Sequence, residues 1–485
     1  MSVKLIYRDI AVGAAEDAKV TAGGADALSV VSLLPFGSGN ETQYATLEKN
    51  MWLLGGAKKV YDGGVYSFWS AAVSDGNGYF STPPEITAQT DEKYNSLGIT
   101  LDFGAMNYCT EVEIIWYNDG AEISRKTYHP DARVYFCENF VESYNKITVR
   151  LIRTKHPNRR ARLDMILFGI TRTFNRDELR GVNITQQISL ISKEMCENVL
   201  DWQLKSKSAV EYLFQIKQPV YAYDSDELLG AFYIQESDRS GPREYNVKCQ
   251  DAIGVLDASP FPDALYSEKN ALELAREICG EFAVEMEEGL QEKKISGILT
   301  KKTRRQALQQ LCFAIGAAAD TAGTENIRIF VPPTGDAKVI PQRRVRTGGR
   351  VKKSDVVTEV QLTAHDYNTS SGEQAAEING VKIYETKTVH TLKNPNATAA
   401  DKQNVVSIED ATLISSANVA EILQRVYDFY MNRNTHNVKF RMEGERVGDR
   451  VATPTPWGDL VEGNISRASI RLSGIAVASA EVIGT

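Results

Sequence analysis

Histidine is scarce, and cysteine is both scarce and scattered. The five histidines, His129, His156, His365, His390 and His436, form no HExxH, HxH or Cys/His array, so a metal hydrolase has little to stand on. The six cysteines, at 109, 137, 196, 249, 279 and 312, contain no CxxC. That spacing argues against a zinc site or a disulfide framework and for folding in a reducing compartment. Cys279 and Cys312 fall on apolar helix positions and read as buried thiols. No apolar run reaches the ~18 residues of a membrane span, and the opening MSVKLIYRDI lacks the apolar stretch of a signal peptide. No GxSxG, GxxxxGK[ST] or strand-linked GxGxxG occurs. Gly55–Gly64 contains glycines but lacks the Lys-Ser/Thr pair that holds phosphate and magnesium. Positive charge is in deficit: the net charge is −8, which makes the chain as a whole a poor nucleic-acid binder.

What is present is an ordinary globular composition, 42% hydrophobic and 24% charged over 485 residues, enough for about three or four domains. Strand patterns dominate residues 97–260. Glu113–Tyr117, Lys146–Arg153, Val182–Ser189 and Tyr245–Cys249 alternate or carry β-branched and aromatic residues. Turn clusters separate them at Asn118-Asp119-Gly120, His156-Pro157-Asn158 and Ser240-Gly241-Pro242. Short strands at this spacing predict sandwiches or barrels. The first 35 residues are small and weakly patterned and predict an extended arm or a partner-dependent segment. Residues 36–95 predict long loops with short strands.

Three helices are predicted. One spans about 268–279, with Ala271, Leu274, Ala275 and Ile278 on one face and Gly280 as its stop. Another starts at Thr303, where Thr303 and Gln306 have capping-box spacing. The last spans about 416–432, with a stripe through Val419, Ile422, Leu423, Val426, Tyr427 and Tyr430. Strands follow at Ile327–Val331 and Asn437–Met442, and a hairpin is expected around Ser473-Gly474. Asn368–Glu373 and Asn394–Lys402 read as exposed loops.

Candidate chemistry is thin. Glu281, Glu285, Glu287 and Glu288 form the densest carboxylate cluster, which reads as a solvated acidic face rather than a glycosidase pair. Two basic runs stand out, Arg150–Arg162 and Arg343–Lys353. Either could touch an anionic polymer, although the bland reading is a basic solvent face. Trp69, Phe80, Tyr94, Trp116, Tyr117 and Tyr128 could stack on sugars, but core positions are the commoner use. No catalytic, cofactor-binding or metal residue is assigned, and no cofactor is expected.

The ordered set of segments over residues 180–485 resembles the baseplate hub proteins of bacteriophage tails and prophage-derived tail-like particles. VNITQQISLISKEMCENVLDWQLKS opens the stretch 182–261, with "ISLIS" read as a strand, Leu228-Leu229-Gly230 as a turn into an "FYI" strand, and "DAIGVLD" as the exit. This looks like a first hub barrel. ISGILTKKTRRQALQQLCFAIGAAADTAGTENIRIF (295–330) is similar to the small α/β domain that follows. VVTEVQLTAHDYN (356–368) and GDRVATPTPWGDLVEGNISRASIRLSG (448–474) resemble the second barrel. Upstream, Leu97–Gly104, VEIIWYNDG, YNKITVRLIR and RRARLDMILFG (159–169) are similar in order to discoidin-type, galactose-binding-like jelly rolls. Many of these bind carbohydrate, some with a calcium ion.

The resemblance implies a mainly β protein with α/β insertions. Its parts would be an arm (1–35), a galactose-binding-like β-sandwich (36–172), hub β-barrel 1 (173–262), a small α/β domain (263–335) and hub β-barrel 2 (336–485) carrying the helix near 416–432. The barrels, from 182–262 and from 356–408 with 437–485, would form a ring with the helices outside it. It implies a structural virion protein and not an enzyme: a homotrimer whose barrels match a hexameric tail tube, adapting it to a tail tip or spike. The implied partners are the tail tube or distal tail protein, the tape-measure protein and a spike or tip protein. DNA would be only a passing cargo, and no stable membrane insertion is implied. Assembly would occur in the host cytoplasm. The chain stops at Thr485, soon after the last barrel pattern, so no lysin domain is expected. The alternative is a carbohydrate-binding, host-attachment tail protein acting on a cell-surface glycan through the sandwich.

Overall fold

A computed structural model describes residues 3–27, 29–36, 67–104, 107–207, 212–346, 349–398, 401–472 and 476–484. The protein is mainly β with short helices. Its chain divides into two units. The smaller holds Tyr7–Arg172 and Val210–Gln218, and the larger holds Met1–Ile6, Thr173–Ala209 and Pro219–Thr485. The Gly55–Gly64 stretch and the Ser473-Gly474 turn lie outside the described residues.

The smaller unit is organised by two long strands, Glu85–Asp102 and Val134–Thr154, at the centre of one six-stranded sheet. Residues 85–95 lie in the stretch predicted as long loops with short strands, but they open a strand of 18 residues whose Glu85–Gln89 part pairs with Lys19–Gly23 on one side and Lys146–Arg150 on the other. Register shifts between Gln89 and Gly98 mark bulges, which bend and twist a strand. Bending brings both halves of the strand to one core: Ile86 and Ala88 share it with Ile99, Leu101 and the fully buried Trp116. The hairpin at Asn118-Asp119-Gly120 forms as its residues dictate. Asp119 and Gly120 have φ of 49° and 84° between paired Asn118 and Ala121, the two positive φ values of a type I′ turn.

The first 35 residues are not a free arm. Val3–Ile10 is a strand with Leu5 and Tyr7 fully buried, Ala14–Asp17 is one helical turn, and Lys19–Gly23 joins the sheet. The strand at Val3–Ile10 precedes the small residues and carries its core contacts at alternate positions. Residues 210–218, expected in the first barrel, also belong to the smaller unit. The Tyr7 hydroxyl donates to Gln218 Oε1 at 2.5 Å and accepts from the Phe214 N–H at 3.1 Å. Asp9 accepts from the Leu213 N–H and pairs with Arg172, each near 3.2 Å. These bonds satisfy buried polar groups that would otherwise oppose folding.

The larger unit contains a long antiparallel sheet. Its strands run in the order Pro219–Asp224, Glu227–Gly241, Glu244–Gln250, Val199–Lys205, Leu179–Gln187, Leu460–Leu472, Ala476–Gly484, Asn434–Arg441 and Arg350–Lys353. The strands expected in two barrels are therefore joined: Leu179–Gln187 pairs with Leu460–Leu472 from Asn183↔Arg471 to Gln187↔Arg467. The 356–408 stretch does not join the C-terminal strands. It forms a separate four-stranded sheet centred on Glu359–Asn368 and Val381–Lys393. "ISLIS" is not a strand, because pairing stops at Gln187 and Ile188, Leu190 and Ile191 are buried in a turn. The turn expected at Leu228-Leu229-Gly230 lies earlier, between paired Asp224 and Glu227, with Ser225 at φ 59°.

The helices form close to where periodicity puts them, at Ala271–Cys279, Arg304–Ile315 and Val419–Met431. Thr303 and Gln306 make the reciprocal capping box, and Gly316 ends the helix at φ 71°. All three helices share one core with Val360, Leu362 and Ala364. The helix at 419–431 thus packs with the α/β elements rather than with the C-terminal strands. Gly297 makes this junction possible, since a Cβ there would collide with the Thr412 carbonyl. Cys279 and Cys312 lie in this core, and burial pushes the Cys279 thiol up to about 12.

Candidate functional site

The long sheet is amphipathic. Leu200, Trp202 and Leu204 are at most 1% exposed, whereas Asp201 and Gln203 between them face solvent. Alternation of period two puts every second residue on one face. Trp202 packs on Phe174 with ring centroids 5.5 Å apart, and the buried faces of the neighbouring strands complete a dry layer.

Register turns the opposite face into ordered rows. Arg471 lies opposite Asn183, Asn183 opposite Asp201, Asp201 opposite Lys248 and Lys248 opposite Glu236. A second row runs Gly181, Gln203, Asn246 and Asp238. Directly opposed residues in neighbouring strands are in contact range, about 4.5–5.5 Å between Cβ atoms. The Asn246 amide donates to Asp238 at 2.9 Å, and Lys205 pairs with Glu244 at 2.8 Å. Together the rows line a cavity of about 550 Å³ with Arg180, Lys248 and Arg471 against Asp201, Glu236 and Asp238. Three cations meet three anions, so the face is hydrophilic without a net field. Among the described lining residues the one aromatic, Trp202, is buried. Sequence reading missed this site, because alternation within a strand is legible but the register between distant strands is not.

The basic runs have opposite fates. In the first, Arg150 pairs with Glu85 at 2.7 Å and with Glu113 at 3.0 Å. Arg153 lies over the Tyr79 ring, and Lys155 over Tyr108. Arg160 pairs with Asp26 at 2.8 Å, and Arg162 with Asp164 at 2.6 Å. In the second, Arg344 is buried and held by Glu445 at 2.5 Å and by the Arg441 carbonyl. Burial alone would raise the Glu445 carboxyl. Hydrogen bonds from Arg344, the Glu443 N–H and Lys338 override it and hold the group at about 2. Arg343, Arg346, Arg350, Lys352 and Lys353 are exposed and have no ion-pair partner among the described residues.

The remaining candidates are placed as follows. Phe80, Trp116 and Tyr128 are core residues. Trp69 lies beneath Arg162, Tyr94 bonds Asp17, and Tyr117 lies beneath Lys146. Burial first, and Asp17 second, push the Tyr94 hydroxyl up to about 12. Glu281, Glu285, Glu287 and Glu288 are all exposed, and Glu287 accepts from the Val331 N–H. Among the described residues no group of three or more His, Cys, Asp or Glu side chains could hold a metal ion. No helix among them is long and apolar enough to cross a membrane.

No family model matches the chain, and no curated protein does. Solved structures do. The chain is similar to a tail protein from Neisseria meningitidis MC58, at 11% identity and a TM-score of 0.47, over 64% of this chain and 93% of that one. It is similar to the 43 kDa tail protein of prophage MuSo2 from Shewanella oneidensis, at 12% and 0.46, over 64% and 96%. It is also similar to the prophage tail protein gp18 from Listeria monocytogenes EGD-e, at 9% and 0.43, over 64% and 91%.

Proposed function

We propose that the chain is a structural protein of a phage or phage-like tail. In this reading it is a baseplate hub, assembled in the host cytoplasm, whose homotrimeric ring adapts the hexameric tail tube to the tip or spike. The observation that carries the reading is the charge-balanced face of the long sheet, where the two rows together with Arg180 set three cations against three anions. A channel wall has to be wetted yet must not hold what passes. Strong DNA binding needs a surplus of cations, since each neutralised phosphate adds to affinity through counterion release. Single strands are gripped by exposed aromatic platforms. The rows offer neither, so DNA or a tape-measure protein would slide past. A mechanism of this kind is assembly without turnover. The tube or distal tail protein would sit on one side of the ring and the spike or tip on the other. The smaller unit would be a galactose-binding-like decoration.

The test is the mass of the full chain by light scattering coupled to size exclusion, followed by negative-stain electron microscopy. Three times 53.7 kDa with a central hole is expected. A monomer that binds an immobilised cell-surface glycan saturably would replace the hub reading with host attachment through the smaller unit.

A further inference from the structure

The strand Arg350–Lys353 ends the long sheet. It pairs with Asn434–Asn437 on one side, and no described strand covers the other. An open edge presents a row of unpaired N–H and C=O groups and is a template for another strand. This one is basic: Arg350, Lys352 and Lys353 are exposed, Arg343 and Arg346 precede them, and none has a described ion-pair partner. Beside it stands the turn Pro456–Asp459, close enough that Pro456 Cδ would lie 3.6 Å from a Cβ on Gly349. Trp457 in that turn is 63% exposed. An uncovered tryptophan beside arginines is the composition of an interface centre.

The same unit carries the complement. Val284–Met286 ends a three-stranded sheet and, among the described residues, pairs only with Ile327–Phe330. Glu281, Glu285 and Glu288 at and around it are exposed and lack a described ion-pair partner. One chain thus presents a basic open edge and an acidic open edge in different sheets. We infer that the Arg350–Lys353 edge of one copy, with Trp457, docks on the acidic Val284–Met286 edge of a second copy. Two different patches in contact make a head-to-tail interface, which closes into a ring when its rotation is a whole fraction of a turn and otherwise runs on as a filament. The inference rests on the homotrimer of the hub reading and locates its contact. A nucleic acid is the weaker occupant, because the chain is at −8 overall and a phosphate backbone uses neither an open strand edge nor an exposed indole.

The experiment is light scattering on the full chain, with circular dichroism to show that each variant is folded. The wild type should have the trimer mass and lose it as salt rises, because exposed charge pairs are screened. R350E/K352E/K353E should fall to the monomer mass, as should E281K/E285K/E288K. Joining all six reversals should restore the trimer. W457A should weaken assembly without unfolding the chain. If the six-fold reversal misfolds, the neutral R350Q/K352Q/K353Q variant, expected to lose the trimer, decides alone. A trimer untouched by the reversals overturns the inference and leaves the hub reading standing. A wild type that is monomeric at every concentration overturns both. Reversals that spare the mass but abolish binding of a short DNA duplex assign the strip to nucleic acid and also overturn it.

Discussion

Arg150–Arg162 and Arg343–Lys353 look alike as sequence and differ as chemistry. In the first, carboxylates hold Arg150, Arg160 and Arg162, with Glu85, Glu113 and Asp26 reaching in from remote segments, and Arg153 and Lys155 lie over tyrosine rings. In the second, only Arg344 is neutralised, by Glu445, and five cations are left to solvent. A basic run states how much charge there is. Whether that charge is spent inside the fold or offered to a partner is decided by residues far away in the chain.

The contrast can be broken from its most buried pair outward. Glu445→Ala takes the close carboxylate from the buried Arg344 guanidinium and should cost about 3–5 kcal/mol, read from denaturant midpoints. The Glu445 carboxyl sits at about 2 against an ordinary 4.5. Its stabilisation is therefore complete above pH 4.5 and is lost as pH falls toward 2. Wild type should lose stability over that window more steeply than Glu445→Gln. Asp164→Ala removes the carboxylate paired with Arg162, whose side chain is 6% exposed, and should cost about 1–3 kcal/mol. Glu113→Gln loosens Arg150 and Arg125, which are more exposed, and should cost about 1 kcal/mol or less. Lys352→Ala should change stability by no more than about 0.5 kcal/mol. If it costs as much as Asp164→Ala, Lys352 is spent inside the fold and the comparison fails.

Local signals were legible. The Thr303–Gln306 capping box, the Asp119-Gly120 turn and the three helices each depend on residues within a few positions of one another. Asn379-Gly380, with φ of 50° and 79° between paired Ile378 and Val381, makes the same turn from the same kind of residue pair. Non-local facts were hidden. Nothing in Leu179–Gln187 says that its neighbour is Leu460–Leu472, and nothing in 356–368 says that it avoids the C-terminal strands. The candidate rows exist only through such pairings, so their members are visible in the sequence and their alignment is not. The 1–35 stretch failed differently: Val3, Leu5 and Tyr7 alternate with polar residues in VKLIYRDI, but the Ala- and Gly-rich residues after Ile10 set the reading of the whole stretch.

The ladder between Leu179–Gln187 and Leu460–Leu472 also constrains how the chain is made. A ribosome delivers the first of these strands long before the second. Until the C-terminal strands emerge, Leu179–Gln187 has Val199–Lys205 on one side only, and its other edge waits bare. Pairings of such long separation close slowly, and bare edges invite wrong partners. Chains released before residue 460 should therefore collect as insoluble aggregate, and full-length yield should improve when translation is slowed or the temperature lowered.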